Sequence, residues 1–140
     1  MEEDSLFTKI IRGEIPSSKV AEGDTWYAFL DINPQRPGHT LVVPKEQAQR
    51  IAELSPLSRR DLMDGVVEVQ RRLSTEFETS DFSINLNDGP NAGQEVPHVH
   101  FHVIPRLPSG TSRPMWTHQN QESEPNFENL AALSTRLQSH

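Results

Sequence analysis

The chain contains no cysteine. Disulfides, thiolate metal sites and a cysteine nucleophile are therefore excluded. Positive charge is scarce: 13 lysines and arginines stand against 20 acidic residues, a formal net charge of -7. Long nucleic acid needs clustered cations against its phosphates, so it is not an expected partner. No apolar run approaches the ~20 residues that span a bilayer, and Met1-Glu2-Glu3-Asp4 is acidic and polar, unlike a signal peptide. These absences predict no membrane partner and a cytoplasmic setting. Hydrophobic residues make up only 34% of the chain, so part of it is expected to pack loosely.

What is present suits a single domain, since 140 residues can bury a core without covalent staples. Ser5 can cap a short helix running through Arg12, with Phe7, Ile10 and Ile11 on one face and Gly13 at a left-handed stop. Thr25–Asp31 alternates Trp26, Ala28 and Leu30 against Tyr27, Phe29 and Asp31, a strand pattern. A turn at 33–38 leads to a second strand, His39–Val43, closed by Pro44. Ser58 with Asp61 resembles a capping box for the longest helix, whose core stripe is Leu62, Val66, Val69, Leu73 and Phe77. Phe82, Ile84 and Leu86 against Ser83, Asn85 and Asn87 mark a third strand, and His98–Ile104 a fourth. Residues 107–125 hold Pro108, Gly110, Pro114 and Pro125 among polar residues and read as an extended loop. Phe127, Leu130, Leu133 and Leu137 form a weaker helical stripe after it. Strands joined by turns, with the helices segregated, predict an α+β fold with an antiparallel sheet, one long helix, a short N-terminal helix and a helix in the C-terminal tail.

The stretch His98-Val99-His100-Phe101-His102-Val103-Ile104 carries the chemistry. On a strand, alternate side chains share a face, so three imidazoles project together while Val99, Phe101 and Val103 pack behind. Two readings follow. Two of the rings could hold a metal with a carboxylate or His39, although His98 and His102 start ~13 Å apart along a strand and cannot easily converge with His100 on one ion. Alternatively, one neutral ring is a nucleophile toward phosphorus while its neighbours neutralise oxygens and shuttle protons.

The motif is similar to the signature of the histidine triad (HIT) superfamily of nucleotidyl hydrolases and transferases. Further blocks carry the resemblance: Ser5 through Pro16, Phe29 through Gln35, Gly38 through Lys45, Asn87-Asp88-Gly89, Ala92-Gly93-Gln94 and Pro105-Arg106. The N-terminal segment resembles the histidine triad nucleotide-binding protein branch, and Asp88-Gly89-Pro90 with Ala92-Gly93-Gln94 also resembles the dinucleoside polyphosphate hydrolase branch. The resemblance implies a HIT domain over residues 1–107, with 108–140 as an extension packing on the domain or on a dimer partner. It implies His100 as nucleophile on the α-phosphate, His98 holding the site, His102 donating to phosphate oxygens and His39 supporting the triad. Asp31 would accept from the ribose hydroxyls, Phe7, Ile10, Ile32 and Leu41 would line the base pocket, and Asn87, Gln94 and the amides near Gly93–Val96 would cradle phosphate. The expected ligand is a purine nucleotide conjugate, such as a nucleoside phosphoramidate, acted on by a homodimer without a cofactor. The alternatives are a dinucleoside polyphosphate hydrolase, a metal-binding protein and a nucleotide-binding module without turnover.

Two departures stand out. Many bacterial relatives place Cys-x-x-Cys in a zinc site where this chain has Ser5 and Thr8, so no such zinc is expected. Relatives with serine or threonine after the Gly-Gln motif face the leaving group with a hydroxyl, whereas this chain has Glu95. A glutamine at the last triad position marks sugar-phosphate transferases, and His102 keeps the chain with the hydrolases. Taken alone, His39, Asp31, Lys45 and Arg106 would read as ordinary strand, turn and surface residues. Trp116 has two readings, an anchor for the tail or a contact near the site.

Overall fold

A computed structural model describes residues 3–108 and 126–140. In chain order the elements are α1 (Leu6–Ile11), β1 (Lys19–Glu22), β2 (Trp26–Leu30), β3 (Thr40–Pro44), α2 (Pro56–Phe77), β4 (Phe82–Leu86), β5 (Phe101–Pro105) and α3 (Phe127–Gln138). The strands form one antiparallel sheet in the order β1-β2-β3-β5-β4. The α+β architecture matches the expectation. The expected loop at 107–125 and Trp116 lie outside the described residues, apart from 107 and 108.

The period-two pattern of the strands decides what each sheet face does. Trp26, Ala28, Leu30, Val42, Val99 and Val103 point to one side, where they meet Leu62, Val66, Val69 and Leu73 of α2. The α2 stripe is thus core, with Phe77 packed at its margin. Leu130, Leu133 and Leu137 of α3 join the same cluster, while Phe127 at its start is 63% exposed. Tyr27, Phe29, Leu41 and Val43 point to the opposite face, where α1 covers them with Phe7 and Ile10. Because both faces are covered, β2 and β3 are buried at every position.

The structure departs from the sequence reading at three places. A fifth strand, β1, precedes the expected first one. It has four residues and a register irregularity between Lys19 and Ala21, so no alternation marks it. Helix α2 starts earlier than Ser58: Ser55 is the cap, its Oγ accepts the Ser58 N–H at 3.2 Å, and Pro56 occupies the first turn where a missing N–H costs nothing. The ladder of β5 begins only at Phe101, so His98 and His100 lie on a lead-in outside it, with a bend at His98. That lead-in is held by Val99 N–H to Ala48 O at 2.8 Å, and by the His98 ring donating to Pro44 O at 2.9 Å. Among the described residues no helix is long and apolar enough to cross a membrane.

Gly65 on α2 lets the Trp26 indole lie against the helix backbone; a Cβ there would sit 2.6 Å from the ring. Alanine would gain about 1 kcal/mol of helix propensity, but overpacking costs about 1–3 kcal/mol. Gly65→Ala is therefore expected to lower stability by about 1 kcal/mol, read as a reduced urea midpoint at unchanged slope. A raised midpoint would show that the indole moves aside without cost.

Candidate active site

The face covered by α1 also carries the chemistry, because the same alternation that buries Val99, Phe101 and Val103 against α2 sends His98, His100 and His102 the other way. His39 stands beside Leu41 and Val43 in this alternation, Asp31 beside Tyr27 and Phe29, and Asn85 is the register partner of His102. The loop between β2 and β3 closes through Asp31 N–H to His39 O at 2.9 Å and His39 N–H to Arg36 O at 3.0 Å.

Hydrogen-bond partners determine the tautomer of each ring. A backbone carbonyl can only accept. His98 Nε2–H therefore donates to Pro44 O at 2.9 Å, and its bare Nδ1 lies 2.6 Å from Ser5 Oγ. His100 Nδ1–H donates to His98 O at 2.7 Å, which leaves a lone pair on Nε2. The Gln35 backbone N–H occupies Nδ1 of His39 at 3.0 Å, so His39 carries its proton on Nε2 and donates to His102 Nδ1 at 2.9 Å. His102 in turn keeps its proton on Nε2. Two adjacent rings thus present opposite faces: His100 an acceptor lone pair, His102 an N–H donor. Burial pushes all four rings below the ordinary imidazole range, His39 to about 3 and His102 to about 4. For His39 the neighbouring His102, Arg106 and His100 add to the effect, and for His102 the neighbouring His100 does.

Two cavities meet at these rings. One of about 330 Å³ is lined by Phe7, Ile10, Ile32 and Leu41, the residues expected around a base, together with Asp31 and Val96. Leu6, Ile15, Phe29 and Asn33 also border it and were not singled out from the sequence. Asp31 Oδ1 accepts the Asn33 N–H at 2.8 Å, and burial, with the nearby Glu95 charge, raises its carboxyl to about 6 against that bond. The second cavity, about 160 Å³, is polar and bordered by Gln35, Asn85, Asn87 and Gly93. Glu95, His100 and His102 border both cavities. Gln94 borders neither and instead donates from Nε2 to Gln49 O at 2.8 Å. Gln35 and Asn85 escaped the sequence reading. Asn85 lies one alternation from Asn87, a signal that was available; the place of Gln35 depends on how the loop closes.

The metal reading can be tested on the donor set. The structure does not group His98 and His100 with His39: both nitrogens of His98 and one of His100 are already committed. Potential ligand atoms of Asp31, His39 and His102 do lie within 4.8 Å of one another. Yet His39 Nδ1 accepts a backbone N–H, so its Nε2 must be protonated. A metal there would require an imidazolate or the loss of the Gln35 bond, whereas ligating histidines ordinarily donate through the second nitrogen. These residues suit a hydrogen-bonded chain that orients His102 better than an ion.

The HIT domain family model matches residues 12–109. The chain is 43% identical over 101 residues to an adenosine 5'-monophosphoramidase of Schizosaccharomyces pombe, covering 72% of this chain and 73% of that one. It is 40% identical over 106 residues to an asymmetrical bis(5'-nucleosyl)-tetraphosphatase of the same organism, covering 76% of this chain and 57% of that one. The crystal structure of a HIT-like protein involved in cell-cycle regulation from Bartonella henselae superposes with a TM-score of 0.83 at 28% identity, over 99% of this chain and 98% of that one.

The depressed histidines have a consequence for stability. Above ~6.5, the unperturbed imidazole value, folded and unfolded chains are both neutral at these rings and the full stability is present. As pH falls below that, the unfolded chain binds protons that the native rings refuse until about 4 for His102 and about 3 for His39. Asp31, held up at about 6, acts in the opposite sense down to its unfolded ~3.9, one group against four. The urea unfolding free energy is expected to fall between roughly pH 6.5 and 4, with a shallower slope in His39→Gln/His102→Gln. A flat profile in the native chain would mean that the rings are charged when folded.

Proposed function

The chain belongs to the HIT family of nucleotide hydrolases, and from that premise we propose that it cleaves a purine nucleotide conjugate, a nucleoside phosphoramidate or similar, at the α-phosphate through a nucleotidyl-histidine on His100. One observation carries the reading: the His100 lone pair on Nε2 is held at the junction of an apolar cavity and a polar one. A base among Phe7, Ile10, Ile32 and Leu41, with a ribose on Asp31, would bring the α-phosphate to that junction. His100 Nε2 would form a bond to phosphorus as the bond to the leaving nitrogen breaks; that nitrogen takes the electron pair and a proton from solvent water. Water would then attack phosphorus as the P–Nε2 bond breaks, returning the electron pair to His100 in its neutral form and the proton of the water to solvent. His102 Nε2–H, backed by His39 and Gln35, would donate to a phosphate oxygen, and Asn87 would do so from the polar side. Such transfer depends on positioning and charge stabilisation, which imidazoles and amides supply without a metal.

The polar cavity supports an amine over a polyphosphate leaving group. No lysine or arginine lines it among the described residues, and its carboxylate is Glu95. A departing polyphosphate would meet like charge there. Reaction with nucleotide labelled at the α-phosphate, stopped by denaturation, should leave label on the protein. His100→Ala should remove it and slow turnover roughly 10⁴-fold or more while nucleotide still binds. Label persisting on His100→Ala would assign the nucleophile elsewhere; no label on the unsubstituted chain would favour a binding module. In the same assay a phosphoramidate should outpace a diadenosine polyphosphate, and the reverse order would favour the second hydrolase reading.

The proposal includes a homodimer and a cytoplasmic setting. Recovery of the chain outside the cytoplasm on cell fractionation would remove the second part. Met63 and Val67, one turn apart on α2, and Ile84 on the edge strand β4 are large apolar residues left 50%, 58% and 43% exposed. Gly65 and Arg72 turn the other flank of α2 toward Trp26 and β1, so Met63 and Val67 belong to the flank on the β4 side. A second copy meeting this edge would cover all three and pair the open ladder of β4. Met63→Glu/Val67→Glu is expected to sediment as a monomer where the unsubstituted chain sediments as a dimer. A monomeric unsubstituted chain would remove this part of the proposal.

A further inference from the structure

The N-terminal helix does more than roof the cavity. Ser5 Oγ accepts the Thr8 N–H at 3.0 Å as the helix cap, and its own O–H has two possible acceptors. One is Thr8 Oγ1 at 3.1 Å; the other is His98 Nδ1 at 2.6 Å. The shorter contact leads to the better acceptor, an imidazole nitrogen whose partner Nε2–H is committed to Pro44 O. Thr8 O–H goes instead to Gln47 Oε1 at 2.7 Å, and Gln47 Oε1 also accepts the Ser5 backbone N–H at 2.8 Å. Gln47 Nε2 donates to Glu3 O at 2.8 Å, so the orientation of this amide is determined by its partners. Ser5 and Thr8 are buried, and His98 is fully so.

We propose that Ser5, held by Gln47 and Thr8, is a positioning residue for His100, acting through the tautomer of His98 and the direction of its carbonyl. This rests on the reading of His100 as the nucleophile. The line of force is short. Ser5 donates to His98 Nδ1, which keeps the His98 proton on Nε2 and the ring on Pro44. The His98 carbonyl then receives the His100 Nδ1–H at 2.7 Å, and that bond keeps the His100 lone pair on Nε2. Phe7, two residues after Ser5, braces both rings edge-on at 5.7 and 5.0 Å between centroids. Without the Ser5 hydroxyl, His98 Nδ1 would be a buried acceptor lacking its donor. The ring would relieve this by turning or by moving its proton, and either change releases the residue whose carbonyl orients His100.

The test uses the full chain with ¹⁵N-labelled histidine. Long-range proton–nitrogen correlation should show His98 as the Nε2–H tautomer and His100 as Nδ1–H in the resting protein. Ser5→Ala is expected to mix the His100 tautomers and to lower kcat at least about tenfold, with KM within about twofold, the pattern of a lost transition-state arrangement. Ser5→Thr, which keeps the hydroxyl, should restore both readouts. Gln47→Leu keeps the hydroxyl but loses its anchor, and should move both readouts part of the way; it also serves if Ser5→Ala does not fold. Unchanged ring signals in Ser5→Ala or Gln47→Leu would overturn the proposal, even where activity falls. An absence of turnover in the unsubstituted chain would count against the hydrolase reading alone, since the ring signals of the resting protein still decide the role of Ser5.

Discussion

Four imidazoles on one sheet face can share that space only if they are uncharged. His102 lies 5.2 Å from His39 and 5.1 Å from His100 between ring centroids. Two charges at that separation repel by about 3 kcal/mol even at an effective dielectric near 20. Burial enforces neutrality, and neutrality has a structural consequence. A neutral imidazole has one donor and one acceptor, so each ring must be told which nitrogen is which. The protein does this with groups that have no choice of their own: the carbonyls of Pro44 and His98, and the Gln35 backbone N–H. These three backbone atoms assign the tautomers, and the Ser5 hydroxyl on His98 Nδ1 completes the assignment at that ring.

That arrangement in turn requires the sheet to be covered on its other side. Val99 and Val103 are fully buried against α2, and they alternate with the histidines. Slipping the register of β5 by one residue would send the imidazoles into the core and the valines into the cavity. The hydrophobic effect on the α2 face therefore sets which residues face the two cavities. Pro44 contributes at the junction. As the last residue of β3 it has no N–H to extend a ladder, and its carbonyl accepts from the His98 ring.

Much of this was legible in the sequence, for reasons of range. The histidine alternation, the β2–β3 pair and the α2 stripe are periodic patterns within one segment, and each survives in the structure. Strand β1 was not legible, because four residues with an irregular register carry no period. The cap of α2 is ambiguous in sequence because Ser55 and Ser58 are both of a capping type; Pro56, suited to the first helical turn, distinguishes Ser55. Beyond its helix cap, the contacts of Ser5 were not legible. They join residues separated by 42 and 93 positions, to Gln47 and His98, and no local pattern encodes such a meeting. Gln35 is the same case in miniature: it enters the site only because the loop folds its N–H back onto His39.

The contrast between His100 and His102 shows how one residue type can be given two tasks. His100 is buried and His102 half-buried, both are neutral, and they are two residues apart on the same face. They differ in what the surroundings ask of the same nitrogen: Nδ1 donates at His100 and accepts at His102. At His100 the claim comes from within the lead-in to its own strand, as the His98 carbonyl takes the Nδ1 proton. At His102 it comes from across the sheet, as His39 on the neighbouring strand donates to Nδ1. An electron-pair donor and a hydrogen-bond donor therefore stand side by side without a charge on either. For attack on an anionic phosphate this pairing has an advantage over a protonated ring beside a neutral one. A nearby imidazolium would hold the phosphate but would also withdraw basicity from the nucleophile and compete for its lone pair. A neutral chain through Gln35 and His39 would stabilise a phosphate oxygen while leaving the lone pair of His100 intact.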